Sequence, residues 1–144
     1  MHEVVVEERV DVDGGLSAFL DVLWDFSRVP EVSADVVKVV LSDHVTVAER
    51  ESSWSVMFRG GTINWTERDR LDQENARVTF DCVSGDFAVF EGDWTVRQED
   101  TELLVTFRLN LDMGIPSMAG MLEPLAGKAV QRIIRDMIKG AATA

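Results

Sequence analysis

The sequence predicts an α+β fold in which one curved antiparallel sheet of seven strands wraps a long C-terminal helix, with two short helices after the first strand and a cavity inside. Three observations carry this expectation. Residues 35 to 111 read as strand after strand, divided into six by turn-like breaks at 42–44, 60–61, 72–75, 84–86 and 98–101. Beyond "DMGIP" the spacing becomes helical: Leu122, Leu125, Ala126, Ala129, Val130, Ile133, Ile134 and Met137 form one stripe, with Gly140 as the expected stop. A sheet and a helix that each carry one apolar face bury both by packing together.

The elements follow in order. Val4, Val6, Val10 and Val12 alternate and mark a first strand. "GGLSAFLDVLWDF" changes to helical spacing through Leu16, Phe19, Leu20, Leu23 and Trp24, and a short second helix is expected after Pro30. Pro124 either starts the last helix or kinks an earlier turn of it, and Gly114 before Ile115-Pro116 gives the approach to that helix a hinge. No repeat, linker or low-complexity run divides the chain, so residues 1–144 are expected to share one core.

Composition narrows the function. A net charge of −12 opposes nucleic acid, whose binding requires cations against phosphates. No stretch approaches the ~18 apolar residues of a membrane span, and the N-terminus lacks a signal-peptide layout, so a cytoplasmic protein is expected. One cysteine, Cys82, and two histidines, His2 and His44, leave no cluster for a metal, and no cofactor is expected. Cys82 reads as a small core residue and His44 as an exposed turn residue. With no tyrosine, acid–base chemistry falls to carboxylates, histidine or the thiol.

The informative stretch is "GGTINWTERDRLD", residues 60 to 72. Alternation places Ile63, Trp65, Glu67, Asp69 and Leu71 on one face, so two carboxylates share an apolar side. With Gly60-Gly61 at the centre of the hairpin turn, Phe58 faces Ile63, Val56 faces Trp65, Trp54 faces Glu67, Ser52 faces Asp69 and Arg50 faces Leu71, leaving Arg50 diagonal to Asp69. A four-residue loop at 72–75 then sets Asp69 beside Val78, Glu67 beside Phe80 and Trp65 beside Cys82. The same inner face continues through Ala88, Phe90, Gly92, Trp94 and Val96, then Leu103, Val105, Phe107, Leu109 and Leu111.

Glu67, flanked by Trp54 and Phe80, is expected to be desolvated and protonated, and Asp69, nearer the strand end, to be wetter and ionised. Two carboxyls in unlike surroundings can serve as acid and base at one pH. Trp54, Trp65, Phe80, Phe90 and Trp94 would wall a ligand pocket whose polar members are Arg50, Ser52, Glu67 and Asp69. The plainer alternative is an inward salt bridge that prevents misassembly. Met113, Met118 and Met121 lie near the start of the last helix, as a gate or as gap-filling side chains.

"VLWDFSRVPEVS", "WTERDRLD", "SGDFAVFEGDW" and "LDMGIP", in that order, resemble the helix-grip proteins of the START-like (SRPBCC) superfamily, and within it the aromatase/cyclases of bacterial polyketide pathways. The resemblance covers nearly the whole chain. It implies a cavity that binds a poly-β-ketone and directs aldol closure and dehydration, with Trp65 matching the cavity tryptophan. The family's arginine, four positions further along that strand, corresponds to Asp69, and Val29 stands where relatives carry tryptophan; Arg50, on the same face, is the arginine available instead.

The expected function is a polyketide cyclase or dehydratase in which Asp69 is the base, Glu67 the acid, and Arg50 and Ser52 orient oxygens, with Met118 and Met121 also against substrate. The alternative from another class is a non-catalytic carrier of a lipid, quinone or polyketide. Lys128, Arg132, Arg135 and Lys139 recur along the last helix and read either as a solvated face or as a dock for an acidic acyl carrier protein. Monomer and homodimer both remain open.

Overall fold

The computed structural model describes residues 1–42, 46–114 and 116–144, the side chains of 116–119 excepted. Strand β1 (His2–Val10) is followed by helix α1 (Gly15–Trp24), a 3₁₀ turn (Phe26–Arg28) and the one-turn helix α2 (Val29–Val32). Six strands come next: β2 (Val36–Leu41), β3 (Glu49–Phe58), β4 (Gly61–Asp72), β5 (Arg77–Gly85), β6 (Val89–Glu99) and β7 (Glu102–Asp112). Helix α3 (Pro116–Ala142) ends the chain. The strands form one antiparallel sheet in the order β1-β7-β6-β5-β4-β3-β2, so every neighbour from β2 to β7 is also the next strand in sequence. Only β1 pairs across the chain, with β7. The sheet and α3 are the expected architecture.

Alternation sets the two faces of the sheet. Ile63, Trp65, Glu67 and Asp69 of β4 are buried, whereas Thr62, Asn64 and Arg70 are exposed. From β7, Leu103, Val105, Phe107, Leu109 and Leu111 enter the same core, and α3 covers it with Ala126, Val130, Ile133, Ile134 and Met137.

The strand partners differ from those counted in the sequence. Arg59 (φ 51°) and Gly60 (φ 81°) occupy the turn between β3 and β4, and both lie in the left-handed region. A two-residue hairpin turn whose twist matches its strands needs two such residues, so the turn is Arg59-Gly60 and Gly61 already belongs to β4, opposite Phe58. Every pair therefore moves by two residues: Trp54 faces Trp65, Ser52 faces Glu67 and Arg50 faces Asp69. A shift of two preserves the face, which is why the inner residues stay inner while their neighbours change.

The next loop also starts one residue later than expected. Asp72 pairs with Arg77, and the Asp72 carboxylate accepts from the Asn75 backbone N–H at 3.1 Å, so the loop is residues 73–76. Asp69 consequently lies beside Phe80, and Glu67 beside Cys82.

Two further expectations change. Phe87, not Ala88, is buried just before β6, where it packs edge-on against Trp65. Helix α3 runs through both Pro124 and Gly140; a side chain at 140 would come within 2.7 Å of Val32, so that glycine admits α2 instead of ending the helix. The turn residue His44 lies outside the described residues, as does the Met118 side chain.

Candidate functional site

The inner faces of β3 and β4 present three successive cross-strand pairs: Trp54 with Trp65, Ser52 with Glu67, and Arg50 with Asp69. The two indoles stack with centroids 5.6 Å apart and planes within 5°. Each indole also donates to the residue two positions along its own strand. Trp54 Nε1 reaches Ser52 Oγ at 2.9 Å, and Trp65 Nε1 reaches Glu67 Oε1 at 2.8 Å. Side chains two apart on a strand share a face, so the alternation that buries the tryptophans also supplies their polar partners.

Asp69 sits at the centre of the polar cluster. Ser52 Oγ donates to its Oδ2 at 2.6 Å, and Arg50 Nε approaches the same oxygen at 3.5 Å. The expected wet position is absent: Asp69 is 0% exposed. The cause is the end of α1 and the turn after it. Arg50 donates to the Trp24 carbonyl and stacks its guanidinium 3.7 Å from the Trp24 ring and 4.5 Å from that of Phe26, closing the strand ends from water. Asp69 Oδ1 is buried without a hydrogen-bond partner among the described residues.

Glu67 is also buried, at 4% exposure. Burial pushes its carboxyl well above the usual range, and the nearby Asp69 charge adds to this; the Trp65 hydrogen bond and Arg50 oppose it. Burial raises Asp69 as well, opposed by the polar contacts of Glu67 and Ser52 and by the Arg50 charge. Burial thus favours a proton on this adjoining pair, and the Arg50 and Ser52 contacts of Asp69 favour placing it on Glu67. Burial lowers Arg50 from its ordinary value, and Asp69 opposes that shift.

A cavity lies between the sheet and α3, lined by Phe26, Trp54, Trp65, Glu67, Phe80, Phe90, Trp94, Phe107, Val130, Ile133, Ile134 and Met137. Glu67 is the one ionisable side chain in that lining among the described residues. The space is small. Room for the centres of water molecules amounts to about 30 Å³, where one water needs roughly 10–15 Å³. The aromatic walls rest on one another, as in the Phe80–Phe107 stack at 5.5 Å and the Trp65–Phe90 contact at 4.8 Å.

Of the residues expected at the site, Trp54, Trp65, Glu67, Phe80, Phe90 and Trp94 line this cavity together. Arg50, Ser52 and Asp69 stand behind Glu67, outside the lining. Met121 is 69% exposed on α3 and outside it as well. Sequence reading missed Phe26 and Trp24, which reach the cluster from the helical segment, and placed Phe107 on the inner face without naming it as a cavity wall. It marked the α3 stripe that supplies Val130, Ile133, Ile134 and Met137 only as packing.

Elsewhere, Cys82 is half-buried with its thiol pushed up by burial, the opposite of an activated nucleophile. In the basic stripe of α3, Arg132 pairs with Asp35 at 3.3 Å and Arg135 with Glu8, while Lys128 and Lys139 are exposed. Among the described residues no three His, Cys, Asp or Glu side chains converge as metal ligands, and no helix is long and apolar enough to cross a membrane.

Comparison with known proteins agrees with this architecture. Among solved structures, the protein TTHA0849 from Thermus thermophilus superposes with a TM-score of 0.86 at 24% identity, over 99% of this chain and 95% of that one. A START superfamily protein from Mycobacterium smegmatis gives 0.78 at 13% identity, covering 98% and 97% of the two chains. The ZhuI aromatase/cyclase from Streptomyces sp. R1128 gives 0.74 at 17% identity, covering 97% and 94%. At such identities these likenesses establish the helix-grip fold. No curated protein matches by sequence. The model of the family described as polyketide cyclase / dehydrase and lipid transport matches residues 16–138, so the chain belongs to that family.

Proposed function

We propose that the chain takes a hydrophobic, oxygenated molecule of polyketide type between sheet and α3, the two parting to widen the space of about 30 Å³, and cyclises or dehydrates it, with Glu67 as the acid. The observation that carries this reading is a buried carboxyl, Glu67, as the one ionisable side chain among the described residues lining an aromatic cavity, where burial favours its protonated form. With Oε1 engaged by Trp65, the other oxygen carries the proton. For a β-hydroxy ketone, that O–H protonates the departing hydroxyl, and the resulting carboxylate takes the acidic α-proton. Water leaves, and Glu67 ends protonated as it began. Asp69, enclosed behind it, acts in this reading through Glu67: its charge holds the proton in place, and Arg50 and Ser52 hold Asp69. Membership of a family that includes cyclases supports the same reading.

Turnover of a poly-β-ketone thioester by Glu67→Gln tests it. The expected loss is roughly 10²–10⁴-fold, the usual contribution of a positioned acid. A rate near wild type removes Glu67 from the chemistry.

The second reading, a carrier without catalysis, is favoured by the almost wholly apolar cavity and by the absence of a second ionisable group in its described lining. Chromatography with mass detection separates the two. A carrier returns the added polyketide unchanged; a cyclase returns an isomer of equal mass and altered retention, and a dehydratase a product lighter by one water.

A further inference from the structure

We infer that the cavity selects neutral molecules presenting a carbonyl or similar acceptor to Glu67, and excludes carboxylates. This rests on the reading above that the cavity takes up a hydrophobic ligand.

The lining contains no lysine or arginine among the described residues. The nearest buried cation is Arg50, and it is already committed: Asp69 is 3.5 Å from its Nε, the Trp24 carbonyl accepts from its terminal nitrogen, and the Trp24 and Phe26 rings cover its plane. Among the described residues, the remaining titratable groups near Glu67 carry no positive charge. Asp69 is an anion on the same strand, and Cys82, opposite on β5, is a thiol that burial keeps neutral. Helix α3 contributes Val130, Ile133, Ile134 and Met137 to the opposite wall.

An entering carboxylate would therefore leave water for a region of apolar side chains, one carboxylic acid and one carboxylate. A buried charge without a partner is among the costliest arrangements in a protein. A ketone, ester or quinone loses far less on leaving water, and the Glu67 proton restores its hydrogen bond. A flat conjugated ligand also finds aromatic faces to stack on. A free fatty acid or aromatic acid is thus the wrong cargo, whereas its ester or thioester is admissible.

Methyl 2-naphthyl ketone and 2-naphthoate are close in shape and differ in charge. Calorimetric titration of each into the full chain at pH 7.5 should give binding of the ketone and, for the carboxylate, an affinity weaker by a factor on the order of 100. In Asp69→Asn the guanidinium loses its anion, and the preference should narrow by about tenfold or more as Arg50 becomes available to pair with the carboxylate. Equal or tighter binding of the carboxylate by the wild-type chain overturns this inference and leaves ligand uptake standing. Binding of neither probe overturns uptake itself, and this selectivity with it. An unchanged ratio in folded Asp69→Asn overturns the electrostatic basis claimed here.

Discussion

Arg50 and Asp69 face each other across β3 and β4, and each depends on the other to remain charged where water does not reach. Asp69→Ala should therefore destabilise the chain by about 3–5 kcal/mol, because it strands a buried guanidinium as well as removing a contact. Replacing both residues by apolar ones of similar volume should cost less than Asp69→Ala alone. Urea unfolding of the single and double variants decides this, and a double variant as unstable as the sum of its singles refutes the pairing. At this scale the sequence was half legible. Glu67 and Asp69 could be placed inside because strand side chains alternate. The depth of Asp69 could not, because its cover comes from Trp24 and Phe26, which lie far before it in the chain.

Among the elements, the bend of the sheet depends on places where strands approach closely. Gly92 in β6 lies against Arg108 and Leu109 of β7, and a Cβ built there would fall 1.8 Å from the Arg108 carbonyl oxygen. That obstacle is backbone, which cannot rotate away as a side chain can. Gly92→Ala should cost about 3 kcal/mol or more, read from the shift in denaturation midpoint. A loss under about 1 kcal/mol would mean that the strands separate there easily. The hairpin turns explain why pairing was misread at this level. A Gly-Gly step signals a turn, but which residues take positive φ depends on the twist of the strands it joins, and here Arg59 is one of them.

For the molecule as a whole, the buried carboxyls make stability depend on pH in an unusual direction. Burial raises the Glu67 carboxyl in the folded chain, whereas unfolded it ionises at its ordinary value, near 4.5. Its stabilising contribution is complete below that value and declines as pH rises toward the elevated folded value, with a slope of up to about 1.4 kcal/mol per pH unit. Asp69 shifts in the same direction, and Cys82 adds to the decline only at alkaline pH. Denaturation midpoints measured from about pH 5 to pH 9 should thus fall for the wild-type chain and fall less steeply for Glu67→Gln. Parallel curves would show that Glu67 is ionised when folded.

By itself the sequence determined the number and order of strands, the long closing helix and the side of the sheet on which Glu67 and Asp69 lie, because periods of two and 3.6 are properties of the local chain. Tertiary structure alone decided that Arg50 opposes Asp69, that Trp24 and Phe26 seal the pair, and that the cavity holds only about 30 Å³. Those outcomes depend on turn dihedrals and on the contact of segments far apart in the chain, and residue spacing along one strand carries no record of either.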